Sequence, residues 1–552
     1  MAEDHSSSHR VLVVGAGPVG LALAGDLASR GHGVTVFERG DGTIVQPRMD
    51  LVGVRTMEFC RRWGLVGAVE SSAYNRALAQ DNVYVTSLTG YELGRERFPS
   101  MNATRPPEQS PQHRERCPQD MFDPILRAWA RSFPNVDVRY RHELIDFEQS
   151  GRSVRARVLD RSADITFTLD AEYLVACDGA GSAVARAIGV PMEGTPILSY
   201  TTNIIFRAPH LMHVHDKGEA YRFILVDTEG MWATIVAIDG FDRWRMSIVK
   251  TPSEGLSLEA IGAAIRRAVG ADFDFDILSV TTWTRRELVA ERYASGRVFI
   301  AGDAAHVMSP TGGFGMNTGI GDAVDLGWKL DATLSGWGGA ELLDSYTPER
   351  RAVAVRNARE SSQNLARMLS PGRNPALCDD TPEGAALRAD VGEKFSAAMR
   401  HEWFTLGIHL GYRYDDSPIC WPDGSTAPPL EVARYVQEAR AGARAPHAWL
   451  RDGRSTLDLF GDGFVLLRLT RDAQPDPIVD ALRARAVPLR VVDLHDEPAA
   501  VAAYVSPLVL VRPDGHVAWR GAAMAQADAL ADCVRGAAPY AWRKAGELTH
   551  AR

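Results

Sequence analysis

The chain has 552 residues, 45% of them hydrophobic and 24% charged, with a formal net charge of −9. A single core stops growing near ~250–300 residues, so several structural units are expected, and the ordinary apolar fraction excludes global disorder. The acidic balance excludes a protein that coats nucleic acid, and no apolar run approaches the ~18–20 residues of a membrane span.

Met1 to Arg10 is polar and lacks the apolar stretch of a secretory leader. Six cysteines (Cys60, Cys117, Cys177, Cys378, Cys420 and Cys533) are scattered with no CxxC pair. That pattern argues against a disulfide framework or a zinc site and fits a reducing cytoplasm. Only five of the 61 basic residues are lysines, an arginine bias that reads as compositional rather than functional.

Val11 to Val14 is a short β-branched apolar run, followed at once by Gly15-Ala16-Gly17-Pro18-Val19-Gly20. Leu21 to Arg30 has helical composition and stops at Gly31, and Val34 to Phe37 returns to strand and ends at Glu38. Together they predict a βαβ opening. Arg105 to Arg116 reads as a surface loop, and Pro118 to Phe133 as a helix with Phe122, Ile125, Leu126 and Trp129 as its apolar positions. Val136 to Tyr140, Val154 to Leu159 and Ile165 to Leu169 alternate like antiparallel strands, and Tyr173 to Ala176 is a buried strand leading into Asp178-Gly179. From Thr201 to Val249, period-two runs rich in aromatics predict an antiparallel sheet in a separate layer. Val298 to Ala301 restores the buried-strand pattern and runs into Gly302-Asp303, and helix dominates from about Gly319 to Met368. Ser370 to Pro382 and Pro418 to Pro429 read as linker. Beyond them, Asp458 to Leu469, Leu489 to Leu494 and Leu508 to Val511 suggest a small α/β unit.

Three segments carry chemistry. Gly15 permits a tight turn, Gly17 lets a pyrophosphate approach the backbone, and Gly20 lets the helix pack on the strand; the phosphates then meet free N–H groups at the positive helix end. Glu38, twenty-three residues after Gly15, is placed to accept hydrogen bonds from a ribose diol. Asp178-Gly179 and Gly302-Asp303 each close a buried strand, and the second leads into the glycine-dense loop Gly312-Gly313-Phe314-Gly315-Met316-Asn317, which opens a helix.

In this order, the three segments resemble the class A flavoprotein aromatic hydroxylases, most closely the phenol hydroxylase branch that includes aromatic polyketide hydroxylases. Pro446-His447-Ala448-Trp449-Leu450, Leu457 to Phe464 and Val511-Arg512-Pro513-Asp514-Gly515 resemble that branch's C-terminal thioredoxin-like domain. The resemblance implies an α/β fold. A Rossmann-like FAD-binding domain (1–75, 105–195 and 285–400) would carry an inserted antiparallel β-sheet substrate domain (76–104 and 196–284). A helical connection (401–444) would lead to a thioredoxin-like α/β domain (445–552). The resemblance further implies non-covalent FAD, NADPH or NADH as reductant and O2 as co-substrate. One oxygen atom would enter a phenolic or polycyclic, polyketide-like ring through a C4a-hydroperoxyflavin. A homo-oligomer is compatible with it.

The same resemblance implies roles for single residues. Pro18 and Val19 accompany the glycines at the phosphates, Glu38 and Arg39 surround the adenosine, and Leu144 meets the adenine edge through its backbone. Arg48 and Gln119 face the ribityl and phosphate region, Asp178 takes part in FAD and nicotinamide handling, and Asp303 holds the ribityl or pyrophosphate region. Pro310 lies near the reactive N5/C4a edge, with Gly315, Met316 and Asn317 around the pyrimidine end. Asp50, five residues before Arg55, matches the register of the active-site aspartate in yeast-type phenol hydroxylases, where an acceptor beside the phenol draws its proton. His306 is expected to pack beside the FAD-binding strand rather than act as a base. Phe206, Tyr221, Phe223, Trp232, Trp244 and Met246 are candidates for lining the substrate pocket, although half of such an alternating set belongs to sheet packing.

Two substrate readings stay open, a small phenol and a bulky polycyclic natural product. A disulfide-reductase-type flavoprotein would need a redox cysteine pair and a second GxGxxG, and a flavin halogenase its own lysine-bearing motif. The alternative on the same scaffold is a flavoprotein that oxidises or sequesters an intermediate without hydroxylating it.

Overall fold

The computed structural model describes residues 10–538. The polar opening segment ahead of Arg10 and the end of the unit assigned to 445–552 lie outside the described residues.

Val11–Val14 forms β1, Pro18–Ser29 α1 and Val34–Glu38 β2. All four β1 side chains are buried, as in a strand covered on both faces, and Pro18 sits in the first turn of α1, where its missing N–H forfeits no intrahelical bond. After α2 (Val54–Arg62) the chain crosses to a second sheet for β3 (Asn82–Val85) and β4 (Glu92–Glu96). It returns through α3 (Gln119–Arg131) to β5 (Val136–Tyr140) and β6 (Tyr173–Ala176). Strands β7 (Met192–Arg207), β8 (Arg222–Asp227), β9 (Gly230–Ala237) and β10 (Arg243–Val249) then build the second sheet. Helix α4 (Leu258–Val269) precedes its last long strand, β11 (Asp276–Ala290). With β12 (Val298–Ile300) the chain rejoins the first sheet, and α5 (Phe314–Leu334), α6 (Tyr346–Met368) and α7 (Pro382–Trp403) follow.

In the first sheet β12-β6-β1-β2-β5 are consecutive and every one of these neighbours is parallel, with the short strand Ala294–Ser295 antiparallel at the β12 edge. Here β5 departs from expectation: it pairs in parallel with β2, and only the strands within residues 142–171 form the antiparallel set. Helix α3 supplies the reason, because a strand entered through a crossover helix returns in the direction of its neighbour. In the second sheet β11-β7-β10-β9-β8-β3-β4 are consecutive, antiparallel except for the parallel β3–β8 pair contributed by two distant segments.

The two faces of the second sheet have opposite characters. Phe206, Phe223, Trp244 and Met246 point to one core with Ile261, Ile265, Ala268 and Val269 of α4. Trp232 lies at its margin with the Arg267 guanidinium 4.3 Å from the ring centroid. These five were expected to line a pocket, and the structure corrects that: an amphipathic helix needed an apolar partner face, and these side chains are it. The alternate positions face the other way, where Ile224 and Val226 pack with Tyr84, Phe395, Met399 and Trp403. Helix α7, which the expected boundaries divide between the nucleotide domain and the connection, thus belongs with the second sheet; Trp403 donates its indole N–H to Tyr84 at 3.0 Å. The segment expected as a connection is also anchored, with Tyr412 and Tyr414 buried and Tyr414 4.3 Å from the His516 ring.

The C-terminal unit is a sheet of β13 (Phe464–Arg468), β14 (Leu489–Asp493), β15 (Leu508–Val511) and β16 (Val517–Gly521) in the order β14-β13-β15-β16. One parallel pair beside two antiparallel pairs is the thioredoxin-like arrangement. Its Cys533 is buried at 1% exposure, 3.5 Å from the Pro418 carbonyl oxygen. Cys533→Ser should therefore leave kcat unchanged; a large drop would place thiol chemistry in this domain.

Candidate active site

The expected cofactor cradle is assembled at the carboxyl ends of β1, β6 and β12, the edge where parallel sheets bind ligands. Gly15 has φ +105°, and a Cβ there would come within 2.3 Å of the Cys177 carbonyl oxygen; one on Gly20 would come within 2.0 Å of the Gly15 oxygen. Over Gly17, by contrast, nothing lies within 4 Å of a built Cβ. Both helices that start here, α1 at Gly17 and α5 at Gly313, have N-termini without a side-chain cap, so their first N–H groups are left for a ligand. Glu38 accepts from Ala16 N at 3.0 Å and Gly40 N at 2.8 Å, one per carboxylate oxygen, each of which keeps a lone pair for a diol. Asp178 caps residues 183 and 184 with Oδ2 while its buried Oδ1 has no partner among the described residues. Asp303 is pushed up by burial against the pull of His306 and Arg48, and its Oδ1 lies 3.9 Å from a Cβ built on Gly315. A dinucleotide with a pyrophosphate over Gly17 fits this donor set.

Around that cradle, Pro18 opens α1 and Val19 packs against Gly302 and Gly319. Exposed Arg48 holds its backbone N–H on Gln119 Oε1 at 3.0 Å and its guanidinium 5.7 Å from the Trp283 ring; Gln119 in turn donates to Asp123 at 3.1 Å. Arg39 and Pro310 are exposed, Gly315 and Met316 half-buried in the first turn of α5, and Leu144 sits at a strand irregularity in the 142–171 sheet. Asn317 is spent on the protein: its Oδ1 accepts from Gly53 N and Thr56 Oγ1, both at 2.7 Å, and its amide donates to Leu51 O and Gly313 O. It ties the glycine loop to the segment after Asp50. His306 is fully buried against Asp322 at 2.7 Å, and Asp322 also accepts from Gly302 N and from Arg350, so this trio fixes the Gly302 turn.

Facing the glycine loop is the polar side of the second sheet. Asp50 lies there under three donors: Arg116 at 3.1 Å, Tyr221 at 2.6 Å and Arg245 at 3.2 Å. Burial works to raise its pKa, but the Arg116 and Arg245 charges and the Tyr221 hydrogen bond outweigh it and hold the carboxyl below its usual range. Of the aromatics expected at a pocket, Tyr221 is the one brought to this cluster. A depressed carboxyl contributes stability above its unfolded pKa of ~3.9 and loses it as pH falls through the folded value. Asp50→Asn should then lower the denaturation midpoint near neutrality, with the gap to wild type closing as pH falls below the unfolded carboxylate's ~3.9 and through the depressed folded value. A gap that stays constant over that range would contradict the cluster.

Sequence reading missed the residues that define this face: Arg116, Arg222, Arg245, Arg285 and Glu402. Arg285 is bonded to hydroxyls, Thr201 at 2.7 Å and Ser309 at 3.1 Å, and burial first of all lowers its pKa to about 10. Arg222 pairs with Glu402 at 3.0 Å. Four buried polar atoms here, Asn203 Oδ1, Arg222 Nε, Trp283 Nε1 and Glu402 Oε2, have no partner among the described residues, which leaves hydrogen-bonding capacity on this face. The available signal was parity: Arg222 and Arg245 alternate with Phe223, Trp244 and Met246 in the same strands.

Residues 8–361 match the family model described as FAD binding domain, and residues 438–537 the one described as aromatic-ring hydroxylase, C-terminal. A putative polyketide hydroxylase of Streptomyces halstedii is 34% identical, spanning 93% of this chain and 93% of its own length. The structure of chromopyrrolic acid-soaked RebC with bound 7-carboxy-K252c superposes with a TM-score of 0.90 at 40% identity, over 96% of this chain and 99% of that one. The ternary complex of aklavinone-11 hydroxylase with FAD and aklavinone does so at 0.80 and 29%, over 97% and 100%. The chain belongs to the FAD-binding aromatic-ring hydroxylases, the flavin-dependent monooxygenases with a thioredoxin-like C-terminal domain.

Proposed function

We propose that the chain binds FAD non-covalently and, with NADPH or NADH and O2, places one oxygen atom on the ring of a polycyclic aromatic substrate that carries an acidic group. The observation that carries the substrate class is the charge on the polar sheet face. Four arginines, Arg116, Arg222, Arg245 and Arg285, face two carboxylates there, Asp50 and Glu402, and Arg285 has no carboxylate within 4.0 Å among the described residues. A buried excess of cations is costly until an anion joins it. The chromopyrrolic acid and 7-carboxy-K252c named with RebC support a substrate bearing such an anion.

When bound, FAD would supply the redox chemistry, drawing on electrons from the nicotinamide and on O2, of which one atom would enter the ring and the other leave as water. The chain's part is to bind, orient and exclude water. The uncapped start of α5 would supply N–H groups and a positive helix end for the negative charge that a flavin gains on reduction. Arg222, Arg245 and Arg285 anchor the substrate's anionic end, so the ring is presented in one pose. Asp50 neutralises Arg116 and Arg245 and keeps the Tyr221 hydroxyl fixed.

A panel of aromatic acids and their methyl esters, scored for substrate-stimulated NADPH oxidation and for a product one oxygen heavier, tests the reading. The acids should turn over with KM about ten- to a hundred-fold below their esters, the worth of one charged hydrogen bond of ~1.5–3 kcal/mol. Equal KM for acid and ester would remove the acidic group from the proposal. NADPH oxidation with no added oxygen for any compound would favour the non-hydroxylating flavoprotein.

A further inference from the structure

We infer that Glu402, at the last turn of α7, is the carboxylate that accepts the substrate's ring-activating proton, the role the sequence suggested for Asp50. The inference rests on the hydroxylase reading. Of the two carboxylates on the polar face, Glu402 is the one with an oxygen that meets no donor among the described residues, whereas both oxygens of Asp50 are occupied. Asp50 meets three donors on its two oxygens and is held below its usual range by buried cations, which makes it a poor proton acceptor. Glu402 uses Oε1 for both of its contacts, Arg222 at 3.0 Å and the Gly312 backbone N–H at 3.3 Å. Its Oε2 is buried without a partner among the described residues, on a side chain 4% exposed.

The position is as telling as the free oxygen. Gly312 belongs to the loop that starts α5 at the flavin edge, and Arg222 to the polar sheet face, so Glu402 bridges the cofactor side and the substrate side. Groups facing it from the packed elements are Arg222 of β8, Arg285 of β11 and Tyr84 of β3. The proposed step balances within substrate and protein. A ring hydroxyl O–H breaks, its proton forms an O–H bond on Glu402 Oε2, and the electron pair stays on the substrate oxygen and makes the adjacent ring carbon nucleophilic. After oxygen is added there, that carbon loses its hydrogen as a proton to solvent, the ring regains aromaticity, and Glu402 returns its proton to the substrate oxygen. The carboxylate ends unchanged.

The test uses the FAD-loaded full-length protein with Glu402→Gln and Glu402→Asp, on two substrates that differ in hydroxyl acidity. Expected for Glu402→Gln is normal FAD content, with product formation down about 10²–10⁴-fold, the usual worth of one general base. The deficit should shrink for the more acidic substrate, and shrink again as pH approaches the ~10 at which an ordinary phenol ionises by itself. Glu402→Asp, which keeps the proton acceptor, should recover part of the rate. A deficit independent of pH and substrate acidity, no deficit, or loss of FAD from both variants would overturn the inference by leaving Glu402 as a brace for the glycine loop. If wild type itself adds no oxygen to any substrate, the hydroxylase reading has failed instead.

Discussion

Gly17→Val should yield a folded protein that no longer holds FAD. The two flanking glycines cannot test this, because a side chain at Gly15 or Gly20 would collide with backbone carbonyls at 2.3 Å and 2.0 Å and disrupt the turn itself. At Gly17 there is no such collision in the protein: its φ of −78° suits any residue, and no atom lies within 4 Å of a built Cβ. The open side belongs to whatever binds the start of α1, and a valine there stands where the pyrophosphate must approach the backbone. Flavin absorbance of the purified variant should be lost, while the circular dichroism and melting temperature of apo protein stay those of apo wild type. Normal flavin content in the variant would disprove the phosphate site; a collapsed apo melt would show that Gly17 serves the fold.

Arg512→Met should destabilise the whole protein severely. Arg512 is fully buried and bonds Glu349 at 2.6 and 2.9 Å, Asp325 at 3.1 Å and Asp514 at 2.6 Å, while Lys329 holds Asp325 at 2.7 Å and Glu349 at 2.6 Å. The network joins α5 and α6 to the turn after β15, and so fastens the C-terminal sheet to the flavin-binding unit. Burial pushes the Asp325 carboxyl well up, which relieves the excess of three acids over two bases. Removing the guanidinium leaves Glu349 and Asp514 buried and under-neutralised, a loss of about 3–5 kcal/mol. Urea denaturation midpoints test it against Arg155→Met, which removes an exposed pair with Asp170 and should leave the midpoint where it is. Equal midpoints for the two variants would contradict the network's weight.

The opening βαβ unit, the two strand-to-acid turns and the C-terminal sheet were legible because each is local: a run of buried β-branched residues followed by glycines of defined mechanical use. The facing of the second sheet was not. Alternation in Phe223 to Val226 or Trp244 to Val249 says that two faces exist, and large aromatics suggest a pocket, but the choice was made by α4, the next helix along the chain, whose apolar stripe needed a partner surface. The arginines opposite were passed over as composition, although Arg222 and Arg245 occupy the complementary parity. Asp50 was found by register, while the three donors that occupy it come from residues 116, 221 and 245, beyond any local signal. Glu402 had no motif at all. Its place is created by helix α7 packing under Tyr84 and bringing its last turn to Gly312.

The central claim is that this chain transfers one oxygen atom from O2 to an acidic polycyclic ring. Turnover of such an acid under 18O2 with NADPH, followed by mass spectrometry of the product, tests it most directly. The account predicts a product carrying one 18O atom, formed only when FAD is bound. NADPH consumption under 18O2 with an oxidised product free of label would contradict it.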